Sequence, residues 1–297
     1  MLFLAVQTDG FQTWLANRLT AYLSAETNSK ITVGRVSIRF FTSASLREVY
    51  VESPAKDTLF YFDEIGVRID DISTKDKRLA IGKLTLTNGF FNLINQKGQE
   101  HDNLYFLTSY FSSGDTTDTT ASPWKIKLKE LELDNFRFVY HDYNEAPIPF
   151  GVDFSHIDVQ NVYGDLHDIH FVNDSIFAAI DQLKFKEKSG FEMQELSAIA
   201  KVSGTEIRVL SLEATTPYSH VDGDVELDYN DWLDFDDFIT RVKWKGNLHP
   251  SKVSFRDISY FATDLEGLHR TLEIEGDFKG TVDKFKGRNA VLSWGNN

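Results

Sequence analysis

Alternating apolar and polar residues dominate this chain, and residues 271–283 show the pattern most clearly. Every even position there is apolar or glycine, and every odd position is polar or charged. Successive side chains of a strand point to opposite faces, so this segment predicts one strand with an apolar and a polar face. At roughly 3.3 Å per residue the strand would extend about 40 Å. Gly276 and Gly280, on the apolar face, indicate a bend or a close approach to the backbone.

The same period of two recurs along most of the chain and predicts a protein built mainly from strands. One-residue slips at Lys129–Glu130 and Asp134–Asn135 favour β-bulges, which bend a strand. Residues 84–93 and residues 131–139 have loosely similar sequences, which suggests an internal repeat. The clearest alternating sets are Ile65, Val67 and Ile69; Leu84 and Leu86; Leu131 and Leu133; Phe136 and Phe138; Val225 and Leu227; and Val242, Trp244, Gly246 and Leu248.

Helices are predicted in three places. An amphipathic helix begins at the capping residues Thr8 and Asp9 and ends near Glu26. Residues 104–111 and 258–268 suit short helices that cover the sheet. The polar run 112–122 predicts a mobile loop and a domain boundary. The apolar face of the first helix would consist of Phe11, Trp14, Leu15, Leu19, Tyr22 and Leu23.

Composition narrows the functional classes. A net charge of −14 over 297 residues disfavours binding to nucleic acid or to an anionic membrane through a basic face. The chain has no cysteine, which excludes disulfides, zinc–thiolate sites and cysteine nucleophiles. Met1–Val6 is an uninterrupted apolar run, too short to span a membrane. It fits either a short buried strand or the end of a membrane anchor.

Candidate catalytic and metal-binding chemistry is sparse. Nucleotide-binding, nucleophile-elbow and zinc-protease motifs are absent from the sequence. In the H-D-I-H segment at 167–170, Asp168 and His170 would share a strand face, but two ligands do not make a metal site. The acidic run 228–238 lacks the order of a calcium loop and favours a helix or a turn that packs Trp232, Phe235 and Phe238 inward. The residues alone therefore single out no catalytic group, metal site or cofactor.

Periodicity leaves two structures open, because each requires one apolar face. One is a closed β-sandwich or a sheet-plus-helix core. The other is a groove whose apolar face contacts acyl chains, where transfer from water contributes about 0.8 kcal/mol per methylene. A third possibility, a secreted carbohydrate-binding module or glycosidase, predicts exposed aromatic side chains such as Trp232 or Trp244 beside carboxylates.

Six segments of the chain follow one another in a recognisable order and spacing. They are Q-T-D-G-F-Q-T-W-L-A-N-R-L-T-A-Y-L-S (7–24), I-T-V-G-R-V-S-I-R-F-F (31–41), L-R-E-V-Y-V-E-S-P-A-K-D-T-L-F-Y-F-D-E-I (46–65), N-L-Y-F-L-T-S-Y-F-S-S-G-D (103–115), F-R-D-I-S-Y-F-A-T-D-L-E-G-L (255–268), and the G-x-F-x-G-x-V strand followed by F-K-G-R-N (285–289). In this order and spacing they are similar to the AsmA/TamB-like envelope proteins of the Bacteroidota. No single motif is diagnostic, but the similarity is distributed over most of the chain.

The resemblance implies the N-terminal, membrane-proximal portion of a longer periplasmic protein that is anchored in the inner membrane. The expected fold is mainly β (α+β): a long curled antiparallel sheet forms an open hydrophobic groove, with an N-terminal amphipathic helix and short covering helices. We expect an anchor stub over 1–6, a helix-plus-sheet segment over 7–111, the loop 112–122, and a continuing groove over 123–297.

Non-catalytic phospholipid transport between the inner and outer membranes is the function that the resemblance implies. The alternative is a periplasmic scaffold that assists outer-membrane protein assembly by β-augmentation, with an outer-membrane assembly protein as its partner. The expected partners are otherwise phospholipid acyl chains and the inner membrane, without nucleic acid. The predicted lipid-contacting residues are Leu272, Ile274, Gly276, Phe278, Gly280 and Val282, followed by Leu131, Leu133, Phe136 and Phe138.

Overall fold

A computed structural model describes residues 9–39, 42–73, 75–76, 78–112, 125–172 and 174–294. It confirms a mainly β fold with small helices, in which fourteen strands form one mixed sheet. The strands are β1 (Ile31–Arg39), β2 (Ser43–Glu52), β3 (Thr58–Ser73), β4 (Arg78–Asn95), β5 (Lys125–Asp142), β6 (His156–Val172), β7 (Ser175–Glu187), β8 (Glu192–Met193), β9 (Glu195–Val202), β10 (Glu206–Thr215), β11 (His220–Asp228), β12 (Lys243–Ser254), β13 (Thr271–Gly280) and β14 (Phe285–Trp294). The helices are α1 (Asp9–Glu26), α2 (Tyr105–Ser112), α3 (Phe238–Arg241) and α4 (Phe255–Ile258).

Two compact units make up the chain. The first unit contains Met1–Pro147 and Phe154–Val162, and the second contains Ile148–Asp153 and Tyr163–Asn297. The predicted boundary at 112–122 falls within the range of the first unit. Of that loop, only Ser112 is described, as the last residue of α2; the predicted anchor stub 1–6 also lies outside the described residues.

In the first unit, β1 to β4 pair antiparallel in chain order, whereas β4 and β5 are parallel. The prediction of an antiparallel sheet is therefore wrong at this pair. The reason lies in the connection: residues 96–124, which include α2, are long enough to return the chain to the end of the sheet where β4 began. Parallel neighbours require such a crossover, while antiparallel neighbours can be joined by a tight turn.

The predicted N-terminal helix is present as α1, and it ends at Glu26 as expected. It packs along β1, where the hydroxyl of Ser24 accepts a hydrogen bond from the backbone N–H of Ile31 over 2.9 Å. Two residues of the predicted apolar face, Trp14 and Tyr22, are nevertheless exposed. A helix beside a single edge strand has too little surface to cover a whole apolar face.

The second unit is a run of antiparallel pairs from β9 to β14, with β7 paired to both β8 and β9. The predicted strand over 271–283 is too long, since β13 ends at Gly280. A tight turn follows, in which the backbone N–H of Lys284 donates to the carbonyl of Thr281 over 3.1 Å. The turn sends the chain directly back as β14, so the 40 Å strand does not form.

The predicted helix over 258–268 is also replaced by shorter elements. The hydroxyl of Ser254 caps the four-residue helix α4, and a separate 3-10 turn covers Thr263–Leu265. Between them Ala262 has φ −129° and ψ 85°, a backbone conformation that breaks the helical path. Among the described residues, no helix has the length and apolar character needed to cross a membrane.

Candidate functional site

One face of β1 to β5 carries apolar residues on every strand and is here called the first-unit face. Strand register aligns its side chains into four rows that run across the five strands. From one end to the other, the rows are Ile31, Val51, Phe60, Phe91 and Phe138; Val33, Val49, Phe62, Gly89 and Phe136; Val36, Leu46, Ile65, Leu86 and Leu133; and Ile38, Ala44, Val67, Leu84 and Leu131. No charged or hydroxyl side chain occupies any of these positions.

A line of irregular residues crosses this sheet between the second and third rows. In each strand the apolar positions there are three residues apart, as in Val33 and Val36 of β1. Glu48, Asn88 and Asn135 take left-handed backbone conformations on this line, with φ of 53°, 46° and 56°. Such a residue adds one position to the strand, so apolar residues that are three apart still lie on the same face. Bulged strands also bend and twist more strongly. The predicted slip at Asp134–Asn135 is one member of this line.

Phenylalanine rings occupy one end of the first-unit face, in its first two rows on β3, β4 and β5. Phe91 stacks between Phe60 and Phe138, each at a centroid distance of 6.2 Å. Phe62 and Phe136 stack at 6.0 Å across β4, where Gly89 separates them, and a Cβ on Gly89 would collide with the Phe62 ring. Glycine at this position therefore allows two rings to meet over the intervening strand.

Exposure of the first-unit face differs between its strands. Val33, Val36 and Val49, on β1 and β2, form a buried cluster with exposures of 8%, 7% and 6%. The third and fourth rows of β3, β4 and β5 are intermediate in exposure, as are four of the five rings; the exception is Phe62 at 4%. A closed sandwich would bury its central leucine and phenylalanine side chains completely. The described structure thus favours a partly uncovered apolar face on β3 to β5, whereas the valines on β1 and β2 are buried.

Ion pairs cover the opposite face of the same strands. Arg47 bonds Glu64 at 3.1 Å, and Lys83 bonds Glu132 at 2.6 Å. A third strong pair joins Lys129 to Asp70 at 2.6 Å. The hydrogen bond that Lys129 donates lowers the pKa of the Asp70 carboxyl. The hydrogen bond that Arg137 donates to the Asp158 carboxylate raises the pKa of Arg137. Asp70 and Arg137 therefore remain charged near neutral pH, which keeps this face of the strands in contact with water.

The predicted residues of β13 lie in a different environment. Phe278 is 3% exposed and Ile274 is 9% exposed, and both pack against Leu248 of β12, with Leu272 beside them. The rings of Trp244 and Phe285 lie over Phe278 at centroid distances of 5.8 and 6.1 Å. Phe278 and Ile274 therefore form a small closed core, here called the second-unit cluster, and neither presents a surface to a ligand. Val282 is exposed and lies beyond the end of β13.

The two glycines of β13 do not leave room for an acyl chain. Gly276 has φ 113° and Gly280 has φ 149°, conformations that side-chain-bearing residues rarely adopt. A Cβ on Gly276 would lie 2.5 Å from the carbonyl oxygen of Asn289 in β14, and one on Gly280 would collide with the carbonyl of Lys284. The neighbouring backbone fills the space, so these glycines serve the bulge and the turn.

Leu131, Leu133, Phe136 and Phe138, the secondary candidates, all belong to the first-unit face. Sequence reasoning did not assign their partners to the site. These partners could have been found from the similarity between residues 84–93 and 131–139, because the two segments are parallel neighbours in register. The partners that complete the rows next to β5 are Leu84, Leu86, Gly89 and Phe91.

Structural roles account for the acidic run at 228–238. The side chain of Asp231 caps the 3-10 turn Trp232–Asp237, and Asp234 accepts two hydrogen bonds from Asn230, both at 2.8 Å. These bonds lower the pKa of the Asp234 carboxyl, the backbone bond most strongly. Trp232 is exposed, so the predicted inward packing of this ring is wrong.

The histidines at 167–170 are likewise engaged locally. Asp168 has a left-handed backbone (φ 52°), and its carboxylate lies 3.1 Å from Nδ1 of His167. His170 faces the backbone carbonyl of Asp168 at 2.8 Å. The predicted shared face of Asp168 and His170 is lost because the irregular backbone turns the carboxylate towards His167. Within the described ranges, no group of three acidic or histidine side chains is arranged to hold a metal ion.

Comparison of the chain with protein-family models, with curated proteins and with solved structures found no match.

Proposed function

We propose that this chain is a non-catalytic lipid-binding segment of an envelope protein, and that the first-unit face holds phospholipid acyl chains. The observation that carries the proposal is the set of four apolar rows, which cross five strands and are partly exposed on β3 to β5, while the reverse face is ion-paired. Each methylene that moves from water onto such a surface contributes up to about 0.8 kcal/mol. A ligand of this face therefore needs methylene groups and no charged partner.

The dimensions of the face suit an acyl chain. Five strands spaced about 4.8 Å apart give a width of roughly 19 Å, and seven residue steps along β1 give a length of roughly 23 Å. One leaflet of a bilayer has a hydrocarbon depth of about 15 Å. An acyl chain can thus lie fully on the face, and its polar headgroup then remains in water beyond the rows.

The resemblance to AsmA/TamB-like envelope proteins provides the cellular setting of the proposal. In that setting the segment lies in the periplasm, close to an inner-membrane anchor, and contributes part of a path for phospholipid between the two membranes. This segment needs no catalytic group and no energy source of its own, because an acyl chain only moves from one apolar surface to another.

Native mass spectrometry after lipid extraction tests the proposal with two matched variants. Leu133→Asp introduces a carboxylate on the first-unit face, and Thr85→Asp introduces the same carboxylate on the ion-paired face of the neighbouring strand. We expect phospholipid to copurify with the unaltered protein and with Thr85→Asp, and to be lost from Leu133→Asp. Circular dichroism establishes that each variant is folded.

Two results would overturn the proposal. One is a folded, unaltered protein that carries no lipid after exposure to phospholipid vesicles. The other is lipid retention by a folded Leu133→Asp variant at the level of Thr85→Asp, which would place the lipid elsewhere on the chain.

A further inference from the structure

A cavity of the first unit lies beyond the phenylalanine end of the first-unit face. Its volume is about 570 Å³. Two connections provide most of its walls: the turn 53–57 between β2 and β3, and residues 96–106, which follow β4 and lead into α2. A concave site of several hundred Å³ with a few convergent polar groups is the usual form of a small-molecule site.

Hydrogen bonds hold both walls of the cavity against the sheet. In the turn, the backbone N–H of Ser53 donates to the carbonyl of Asp57 over 2.8 Å. In the other wall, the side chain of Asn103 takes the place of a neighbouring strand beside β4. Its Oδ1 accepts from the N–H of Ile94 over 2.8 Å, and its amide donates to the carbonyl of Asn92 over 3.0 Å. The walls are therefore fixed parts of the fold.

Acidic side chains provide the charge of the cavity. Asp57, Glu100 and Asp102 line it, whereas none of its described lining residues is a lysine or an arginine. Asp102 is occupied, since its Oδ1 accepts from the backbone N–H of Tyr105 over 3.1 Å. Asp57 accepts a 3.4 Å hydrogen bond from the neutral amide of Gln96. Within the described ranges, Asp57 and Glu100 are thus carboxylates without an ion-pair partner.

An aromatic pair forms another part of the same wall. The rings of His101 and Tyr105 stack at a centroid distance of 3.7 Å, and Tyr105 is 48% exposed. Aromatic faces attract cations, and carboxylates form strong hydrogen bonds with ammonium groups. An anionic ligand would instead lie beside Asp57 and Glu100 without a compensating cation from the described lining. The wall therefore favours an organic ammonium group.

The cavity begins where the apolar rows end. Ser53 follows Val51 of the first row by two residues, and Ile94 follows Phe91 by three. These offsets correspond to roughly 7–10 Å along the strands. The headgroup region of one leaflet adds about 5–8 Å to the hydrocarbon core of a bilayer. A lipid whose acyl chains lie on the first-unit face thus reaches the cavity with its headgroup.

We propose that this cavity binds an ammonium group, and that a phospholipid headgroup ending in a primary amine supplies it. Asp57 and Glu100 accept hydrogen bonds from the ammonium, and the ring of Tyr105 faces the adjoining carbons. The lipid phosphate stays outside the cavity, near the exposed turn residues Lys56 and Lys97. The lipid source rests on the proposed function, whereas the ammonium site itself would also accept a free amine.

Native mass spectrometry of the full chain, after exposure to vesicles of equal parts phosphatidylethanolamine and phosphatidylglycerol, measures the headgroup preference. We expect the ratio of bound ethanolamine lipid to glycerol lipid to fall about threefold to tenfold in Asp57→Asn/Glu100→Gln, because two exposed charge pairs are lost. Total bound lipid should stay unchanged, since the first-unit face is intact. Glu26→Gln/Asp76→Asn makes the same change in net charge at exposed positions outside the cavity and should keep the ratio. Circular dichroism establishes that each variant is folded.

Calorimetric titration with ethanolamine identifies the source of the ammonium group. Binding to the unaltered chain and to the control variant, but not to Asp57→Asn/Glu100→Gln, would support a site that also takes a free amine. A headgroup preference without ethanolamine binding would support the lipid as the source, because the acyl chains then supply most of the affinity. The proposal is overturned if Asp57→Asn/Glu100→Gln matches the control variant in both measurements. A chain that carries no lipid would contradict the proposed function, and the titration would still decide this inference.

Discussion

The first-unit face and the second-unit cluster arise from the same alternating pattern but have different environments. In the first unit, leucine and phenylalanine fill half of the positions in the four rows, and those on β3 to β5 are partly exposed, apart from Phe62. In the second unit, glycines at 246, 276 and 280 interrupt the rows, and the neighbouring large rings close over Phe278. The difference lies in the neighbouring rings. Those of Trp244 and Phe285 cover Phe278, whereas the rings of the first-unit face stack side by side at 6.0 and 6.2 Å.

Replacing one phenylalanine in each region gives the largest expected contrast. Phe278→Ala should lower the free energy of unfolding by about 3–5 kcal/mol, since it opens a cavity in a closed cluster. Phe138→Ala should lower it by only about 1–2 kcal/mol, because its ring is already partly in water. Urea unfolding followed by fluorescence measures both values. Equal losses would mean that the two regions are buried alike, which contradicts the distinction between them.

The glycines of β13 allow a sharper version of the same comparison. Gly276→Ala should cost about 1–3 kcal/mol, because the new Cβ meets the carbonyl oxygen of Asn289 and the backbone is held at positive φ. Gly98→Ala is the matched control: Gly98 also has positive φ (74°), but nothing lies within 4 Å of its Cβ position. It should cost about 1 kcal/mol from backbone strain alone. If thermal unfolding shows the same loss of stability for Gly276→Ala and Gly98→Ala, the structure has space for a Cβ at position 276, contrary to this account.

The smallest expected effect concerns the polar side of the second unit. A hydrogen bond from Lys201, aided by the charge of Arg208, lowers the pKa of Glu206 from its ordinary value of 4.5. A carboxyl with a depressed folded-state pKa stabilises the protein above its ordinary pKa, and the contribution is lost as the pH falls through the folded-state value.

Glu206→Gln should therefore reduce stability by a few tenths to about 1 kcal/mol at pH 7, and the penalty should shrink as the pH falls below 4.5 through the folded-state pKa of Glu206. Chemical unfolding at pH 7, 5 and 3 measures the difference. A penalty that does not shrink at all between pH 7 and pH 3 would show that shape or hydrogen bonding, rather than charge, explains the role of Glu206.

Alternation predicted the strand-rich fold and the helix α1, because the period of side chains is a local property of the chain. It could not predict the parallel pairing of β4 and β5, which depends on the path of residues 96–124. It also assigned the site to the cleanest alternating segment, 271–282, although burial there depends on Trp244 and Phe285 from neighbouring strands. Whether an apolar strand face is exposed or buried is decided by side chains on neighbouring strands, and these are not adjacent in sequence.

Face-resolved photocrosslinking tests the central claim most directly, because one strand provides both the probe and its control. Benzoylphenylalanine is placed at Leu131 or Leu133 on the first-unit face of β5, and at Glu132 between them on the ion-paired face. After illumination with vesicles of phosphatidylethanolamine and phosphatidylglycerol, lipid adducts are quantified by mass spectrometry. We predict adducts at positions 131 and 133 and none above background at 132. Equal labelling at all three positions, or none at any in folded protein, would contradict a lipid-binding first-unit face.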